Sequence, residues 1–162
     1  MSALFRSSAE SFSGVETLIA DRLAEALMHR SGTHASPGER RSWERSLPVL
    51  RSDLVDAGLG GVEMLVEYGM PLSSKRADVV LAGTHPTSGR PSYVVVELKQ
   101  WDSAEVYEDN FDLVTTAGRR DLLHPGLQVS GYCDYLADFT TVFSEQPLEL
   151  AGAAYLHNAT DL

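Results

Sequence analysis

Asp78, Glu97 and Lys99 are the side chains whose types and spacing best suit chemistry. Asp78 opens the apolar run Val79-Val80-Leu81, and Glu97-Leu98-Lys99 closes the run Tyr93 to Val96. Gly83, Pro86 and Gly89 mark a turn between the two runs. Residues two apart on a strand share a face, so Glu97 and Lys99 point together while Leu98 points away. A hairpin can bring Asp78 beside them. Paired carboxylates can hold a hard divalent cation through oxygen. An ammonium group next to them can orient or deprotonate a water, or steady charge on a phosphate.

The elements that must position these residues are read from periodicity and caps. Phe12, Val15, Leu18, Ile19, Leu23, Ala26 and Leu27 recur at three- and four-residue steps, which predicts one packing helix over residues 9–30, ended at Gly32-Thr33-His34. Ser36-Pro37-Gly38-Glu39 then supplies an N-cap serine, a proline at the first helical position and a glutamate at the third. Trp43, Leu47, Leu50 and Leu54 form the apolar face of this second helix. Pro48 inside it should kink or loosen it, and Asp56-Ala57-Gly58 ends it. Residues 62–68 read as a strand and 69–74 as a turn. The two chemistry-bearing strands follow. Residues 101–123 are polar and weakly patterned, which predicts a long loop. A last helix starts near Pro125, with Val129, Tyr132, Cys133, Leu136 and Phe139 or Thr140 inward. Pro147 should break the chain before a final strand over residues 148–156. Gln128 and Tyr132, four apart on the last helix, share one face.

Composition narrows the class. A chain of 162 residues can bury a core of its own. No apolar run approaches the roughly 20 residues of a membrane span, and the first residues lack the apolar core of a signal peptide. Cys133 is the one cysteine, so no intrachain disulfide can form, and no Cys/His spacing suggests zinc. A cytoplasmic location and no membrane partner are the expectations. The net charge of −10, from 13 Lys+Arg against 23 Asp+Glu, argues against a free-standing nucleic-acid binder. A bound cation or a further region of the protein would reconcile the two.

Asp78 and Glu97-Leu98-Lys99 resemble the motif of the PD-(D/E)xK nuclease superfamily, with Ala77 where the motif's name has proline. The element order over residues 36–156 is similar to that superfamily. The resemblance implies an α/β fold: a restriction-endonuclease-like αβββαβ core (residues 36–162), its mixed central sheet flanked by helices, behind an extra N-terminal helix (residues 1–35). Gln128 and Tyr132 resemble the Gln-x-x-x-Tyr element of the RecB-like branch, which implies that Gln128 meets the lysine region or the substrate backbone and Tyr132 braces it.

The expected cofactor is Mg²⁺ or Mn²⁺, held by Asp78, Glu97 and the Leu98 carbonyl, with Glu67 or Glu39 as a further carboxylate. Glu44 is an alternative to Glu39, whose place in a capping box already explains it. Lys99 would position or activate water. Arg76 would meet a phosphate or pair with a carboxylate. Gln100 and Trp101 would extend the nucleic-acid surface, Trp101 by stacking on a base, and Arg119 and Arg120 are further backbone candidates.

The strings "SWERSL", "EYGMPLSSKRADVVLAG", "VVVELKQW", "HPGLQVSGY" and "AYLHN" resemble the N-terminal region of bacterial proteins in which a RecB-like nuclease domain precedes a Schlafen-type P-loop NTPase or helicase domain. That resemblance implies a metal-dependent nuclease acting on nucleic acid, DNA in preference to RNA, in DNA processing or defence. The chain holds no Gly-x-x-x-x-Gly-Lys-Ser/Thr loop, so it is expected to be either a fragment of a longer protein that carries the NTPase or helicase region elsewhere, or a stand-alone relative. The rival reading is an inactive nuclease-like fold that binds nucleic acid or a protein.

Overall fold

The computed structural model describes residues 3–116, 118–140 and 149–159. The chain begins with strand β1 (Phe5–Ser8), a one-turn helix α1 (Ala9–Phe12), a 3₁₀ turn (Glu16–Leu18) and helix α2 (Ile19–Ser31). Helix α3 (Pro37–Asp56) leads into strands β2 (Glu63–Gly69), β3 (Arg76–Thr84) and β4 (Pro91–Lys99). Short strands β5 (Glu105–Val106), β6 (Leu113–Thr116) and β7 (Arg119–Leu123) follow, then helix α4 (Pro125–Phe139) and strand β8 (Leu150–Leu156).

Five strands form the central sheet in the order β1-β2-β3-β4-β8. The first four pair antiparallel, and β8 joins β4 in parallel. A parallel return needs a crossover, and α4 lies in that connection, packing on β8 and β4. The sheet is therefore mixed and flanked by helices, with α3, β2, β3, β4, α4 and β8 in the expected order. Val79 and Val80 are both buried on β3, because each face of the sheet is covered. On one face Phe12, Ile19, Leu23, Trp43 and Leu47 pack on Met64, Val66, Val79, Val96 and Leu98. On the other, Val129 and Leu136 of α4 pack on Val80 and Val95.

Helix α3 begins where its capping box predicts. The Ser36 hydroxyl accepts the Glu39 N–H at 3.2 Å, and the Glu39 carboxylate accepts the Ser36 N–H at 2.8 Å. It runs through Pro48 without a break. Leu47 and Leu50 are buried to either side of the proline, and their packing outweighs the missing backbone hydrogen bond.

Other expectations are corrected. The single helix over residues 9–30 is split into α1, the 3₁₀ turn and α2, and Leu18 is exposed rather than on an inner face. Residues 1–35 are more than a helical extension: β1 forms the sheet edge beside β2, and α1 and α2 share the core of α3. The long loop expected over residues 101–123 is a three-stranded antiparallel sheet, β5-β6-β7. Phe139 is exposed at the end of α4. The break expected at Pro147 and the start of the last strand at Leu148 lie outside the described residues. Among the described residues, no helix is long and apolar enough to cross a membrane.

Candidate functional site

Register sets three carboxylates in one row across the sheet. Val66 pairs with Val79 and Tyr68 with Ala77, which puts Glu67 of β2 opposite Asp78 of β3. The last registered pair of β3 and β4 is Val79 with Val96, and one step further Asp78 faces Glu97. Directly opposite residues lie about 4.5–5.5 Å apart at Cβ, where like charges repel. The fold thus brings the two sequence-predicted carboxylates together at the end of the β3–β4 ladder. There the Leu98 N–H donates to Asp78 Oδ2 at 2.7 Å, so a side chain takes over where the ladder stops.

Glu97 and Lys99 project on the α4 side, the face of Val95, while Leu98 packs into the opposite core. Glu97 is 5% exposed. Its Oε1 accepts from Lys99 Nζ at 2.7 Å and from Gln128 Nε2 at 2.7 Å. Lys99 Nζ also reaches Gln128 Oε1 at 3.2 Å, and Gln128 Nε2 lies 3.2 Å from the Tyr132 hydroxyl. The i, i+4 pair on α4 therefore closes a network over the Glu-x-Lys strand. Burial raises the Tyr132 phenol, which stays neutral.

Asp78 is the electrostatically loaded member. Burial first, the Glu97 charge second and the Glu67 charge after them push its carboxyl from 3.8 up to about 7, against the Leu98 hydrogen bond and the Lys99 charge. Asp78 Oδ1 and Glu97 Oε2 have no protein partner among the described residues. Two free carboxylate oxygens of adjacent acids, with a backbone carbonyl such as that of Leu98 nearby in sequence, fit Mg²⁺ or Mn²⁺. Mg²⁺ keeps several waters and needs only one or two carboxylates. Among the described residues no group of three or more His, Cys, Asp and Glu is clustered as a metal site, so the protein offers a partial shell rather than a cage.

Glu67 and Glu39 stand apart from that pair. Glu67 has φ +52, and at this residue the strand's alternation inverts. Leu65 and Tyr68 pack on the α4 side, while Met64 and Val66 pack on the α3 side. The Glu67 carboxylate turns to α3, accepting Trp43 Nε1–H at 2.6 Å and Arg76 Nε–H at 2.6 Å. Arg76 also donates to Glu39 at 2.8 Å. Arg76 is thus paired with carboxylates rather than presented to solvent. Burial works against the Glu39 charge, but the Ser36 hydrogen bonds and Arg76 more than offset it and hold the carboxyl below its usual range. Glu44 is exposed.

The remaining candidates lie at the margin. Trp101 is half-buried, with Lys99 Nζ 5.5 Å from its ring centroid, within the range of a cation–π contact. Gln100 lies on the α3 side of the strand end, its amide reaching the Arg41 carbonyl at 3.4 Å and its own carbonyl accepting from Asn158 at 3.0 Å. The Arg119 and Arg120 backbone lies in β7. Trp43 was legible only as an apolar helix residue; its indole N–H, buried with the ring, needs an acceptor and finds Glu67. Comparison with family models, with curated proteins and with solved structures finds no match to this chain.

Proposed function

We propose that the chain is a divalent-metal-dependent nuclease that hydrolyses phosphodiester bonds in nucleic acid, DNA in preference to RNA, on a restriction-endonuclease-like αβββαβ core. The observation that carries this reading is the convergence of Asp78 and Glu97 across β3 and β4, each with an oxygen that has no partner among the described residues, beside a lysine fixed by Glu97 and Gln128. Asp78, Glu97 and the Leu98 carbonyl would hold Mg²⁺ or Mn²⁺. The cation supplies a Lewis acid that makes water nucleophilic near neutral pH and offsets charge on the phosphoryl oxygens.

The chain's own residues do the positioning. Lys99 Nζ, held between Glu97 and Gln128, orients the attacking water and donates to the phosphate as its charge grows. Gln128 fixes Glu97 and Lys99 relative to each other, and Tyr132 fixes Gln128. Arg76, Glu67 and Glu39 stiffen the strands that carry Asp78. With a net charge of −10, affinity for an anionic strand must come from local cations or from another region of a longer protein, for which a nucleotide-driven NTPase or helicase is our proposal.

Cleavage of end-labelled single- and double-stranded DNA and RNA in Mg²⁺, Mn²⁺ or EDTA tests this directly. Metal-dependent cutting by the wild type, lost in Asp78→Ala and Lys99→Ala, is the expected result. Absence of cutting, together with no calorimetric heat of Mn²⁺ binding, would refute the catalytic reading and favour an inactive binding fold.

A further inference from the structure

A cavity of about 420 Å³ opens between α4 and the turn joining β2 to β3. Its walls include Met70, Leu127, Tyr132 and Tyr135, with the exposed Lys75 among its lining. Gln128 belongs both to this cavity and to the Glu97–Lys99 network. Gln128 also borders a second hollow of about 330 Å³, lined by Lys99, Gln100 and Trp101. The two hollows therefore meet at Gln128, whose amide hydrogen-bonds Glu97 and Lys99.

The first cavity has the chemistry of a nucleobase site. The Tyr135 ring is fixed: its hydroxyl donates to the Pro71 carbonyl, and its centroid lies 4.5 Å from that of Phe139. Lys75 makes no ion pair among the described residues, so its ammonium can meet a backbone phosphate. The volume falls in the range of ligand pockets, roughly 300–1,000 Å³. A base stacked and paired inside a duplex cannot enter it.

The geometry points to a nucleobase subsite: an unpaired base of the substrate strand enters the cavity against Tyr135, one nucleotide from the phosphate held at Asp78, Glu97 and Lys99. The occupant rests on the nuclease reading, and the substrate that follows is a single strand or a frayed end. The second hollow receives the nucleotide on the other side of that phosphate.

Gly131→Leu tests the subsite without touching the site. Gly131 lines the cavity, a Cβ there meets no atom within 4 Å, and leucine favours a helix over glycine. Binding of a short labelled single strand is read by anisotropy in EDTA, against a series of strands each lacking one base. Cutting of the same strands is mapped in Mg²⁺ and Mn²⁺. Loss of one particular base should weaken wild-type binding by about 5- to 150-fold, the worth of base–aromatic stacking, and slow cutting at the adjacent phosphate. Gly131→Leu should show that loss with the intact strand and no further loss with the abasic one.

Equal binding of all strands by the wild type, or wild-type binding of the intact strand by Gly131→Leu, overturns the subsite. Base-dependent binding without any metal-dependent cutting upholds the subsite and removes the nuclease reading. Cutting without base dependence does the reverse.

Discussion

Asp78→Asn should stabilise the metal-free protein at alkaline pH and leave it unchanged in acid. The Asp78 carboxyl is pushed from 3.8 up to about 7 by burial and by Glu97. In the unfolded chain it ionises near its ordinary value. Between about pH 4 and pH 7 the unfolded state therefore binds fewer protons than the folded state, and stability falls as pH rises through that window. The loss is complete above about pH 7 and absent below about pH 4. The gap between 3.8 and about 7 is about 3 pH units, and at about 1.36 kcal/mol per unit the ceiling is about 4 kcal/mol.

Asp78 keeps some contact with solvent, which screens the charge and brings the expectation to about 2 kcal/mol. The asparagine amide still offers an oxygen to the Leu98 N–H and carries no charge. A gain of about 2 kcal/mol raises Tm by about 4–8 °C in a domain of this size. Thermal denaturation of wild type and variant in EDTA, across about pH 4 to pH 8, measures the gap. Saturating Mg²⁺ should then raise the wild-type Tm at the alkaline end and leave the variant unmoved. A gap that is constant with pH would refute the electrostatic argument, because a packing difference carries no proton.

Arg76→Met should cost about 3–5 kcal/mol in urea denaturation, because it leaves the buried Glu67 charge without its cation. Unchanged stability with weaker nucleic-acid binding would instead make Arg76 a phosphate contact. Lys99→Met should lower metal-dependent cutting by at least about 10²-fold, and it should also destabilise the protein, since Glu97 is buried against that ammonium. Pro48→Ala should raise stability by about 1–3 kcal/mol in the same urea experiment, because α3 already runs through that position.

The parts of the fold legible in the sequence are those whose signals are local. The runs at Val79–Leu81 and Tyr93–Val96 read as strands because both of their faces are buried. Ser36 and Glu39 announce α3 through hydrogen bonds made within one turn. Gln128 and Tyr132 share a face by helical geometry alone. What was missed depends on distant partners. Phe5–Ser8 is a strand because β2 offers it an edge, through pairs such as Phe5 with Val66; the string Phe-Arg-Ser-Ser has no apolar alternation. Strands β5 and β6 bury, among the described residues, only Val114 and Thr116, so no periodicity marks them. The helical spacing of Phe12, Val15 and Leu18 continues across a break at Ser13–Val15 that the pattern does not register.

Glu67 shows why the site itself was only half legible. Strand alternation and register together would place Glu67, Asp78 and Glu97 side by side on the α4 face, with Lys99 as their near cation. A left-handed residue inside a strand costs on the order of 1–3 kcal/mol. Here it carries one carboxylate through the sheet to Trp43 and Arg76, which supply two short hydrogen bonds. The inversion divides the row in two. On the α3 side Glu67 is paired with Arg76. On the α4 side Asp78 and Glu97 remain, with Lys99 paired to Glu97, so Asp78 is left against a negative neighbour with no ion pair among the described residues. Burial is the larger cause of its raised pKa, and the Glu97 charge adds to it; the proposed divalent ion would supply positive charge there, beside the Glu97 oxygen that has no partner among the described residues. None of this can be read from a run of residues, because it depends on one backbone torsion and on a tryptophan twenty-four residues earlier.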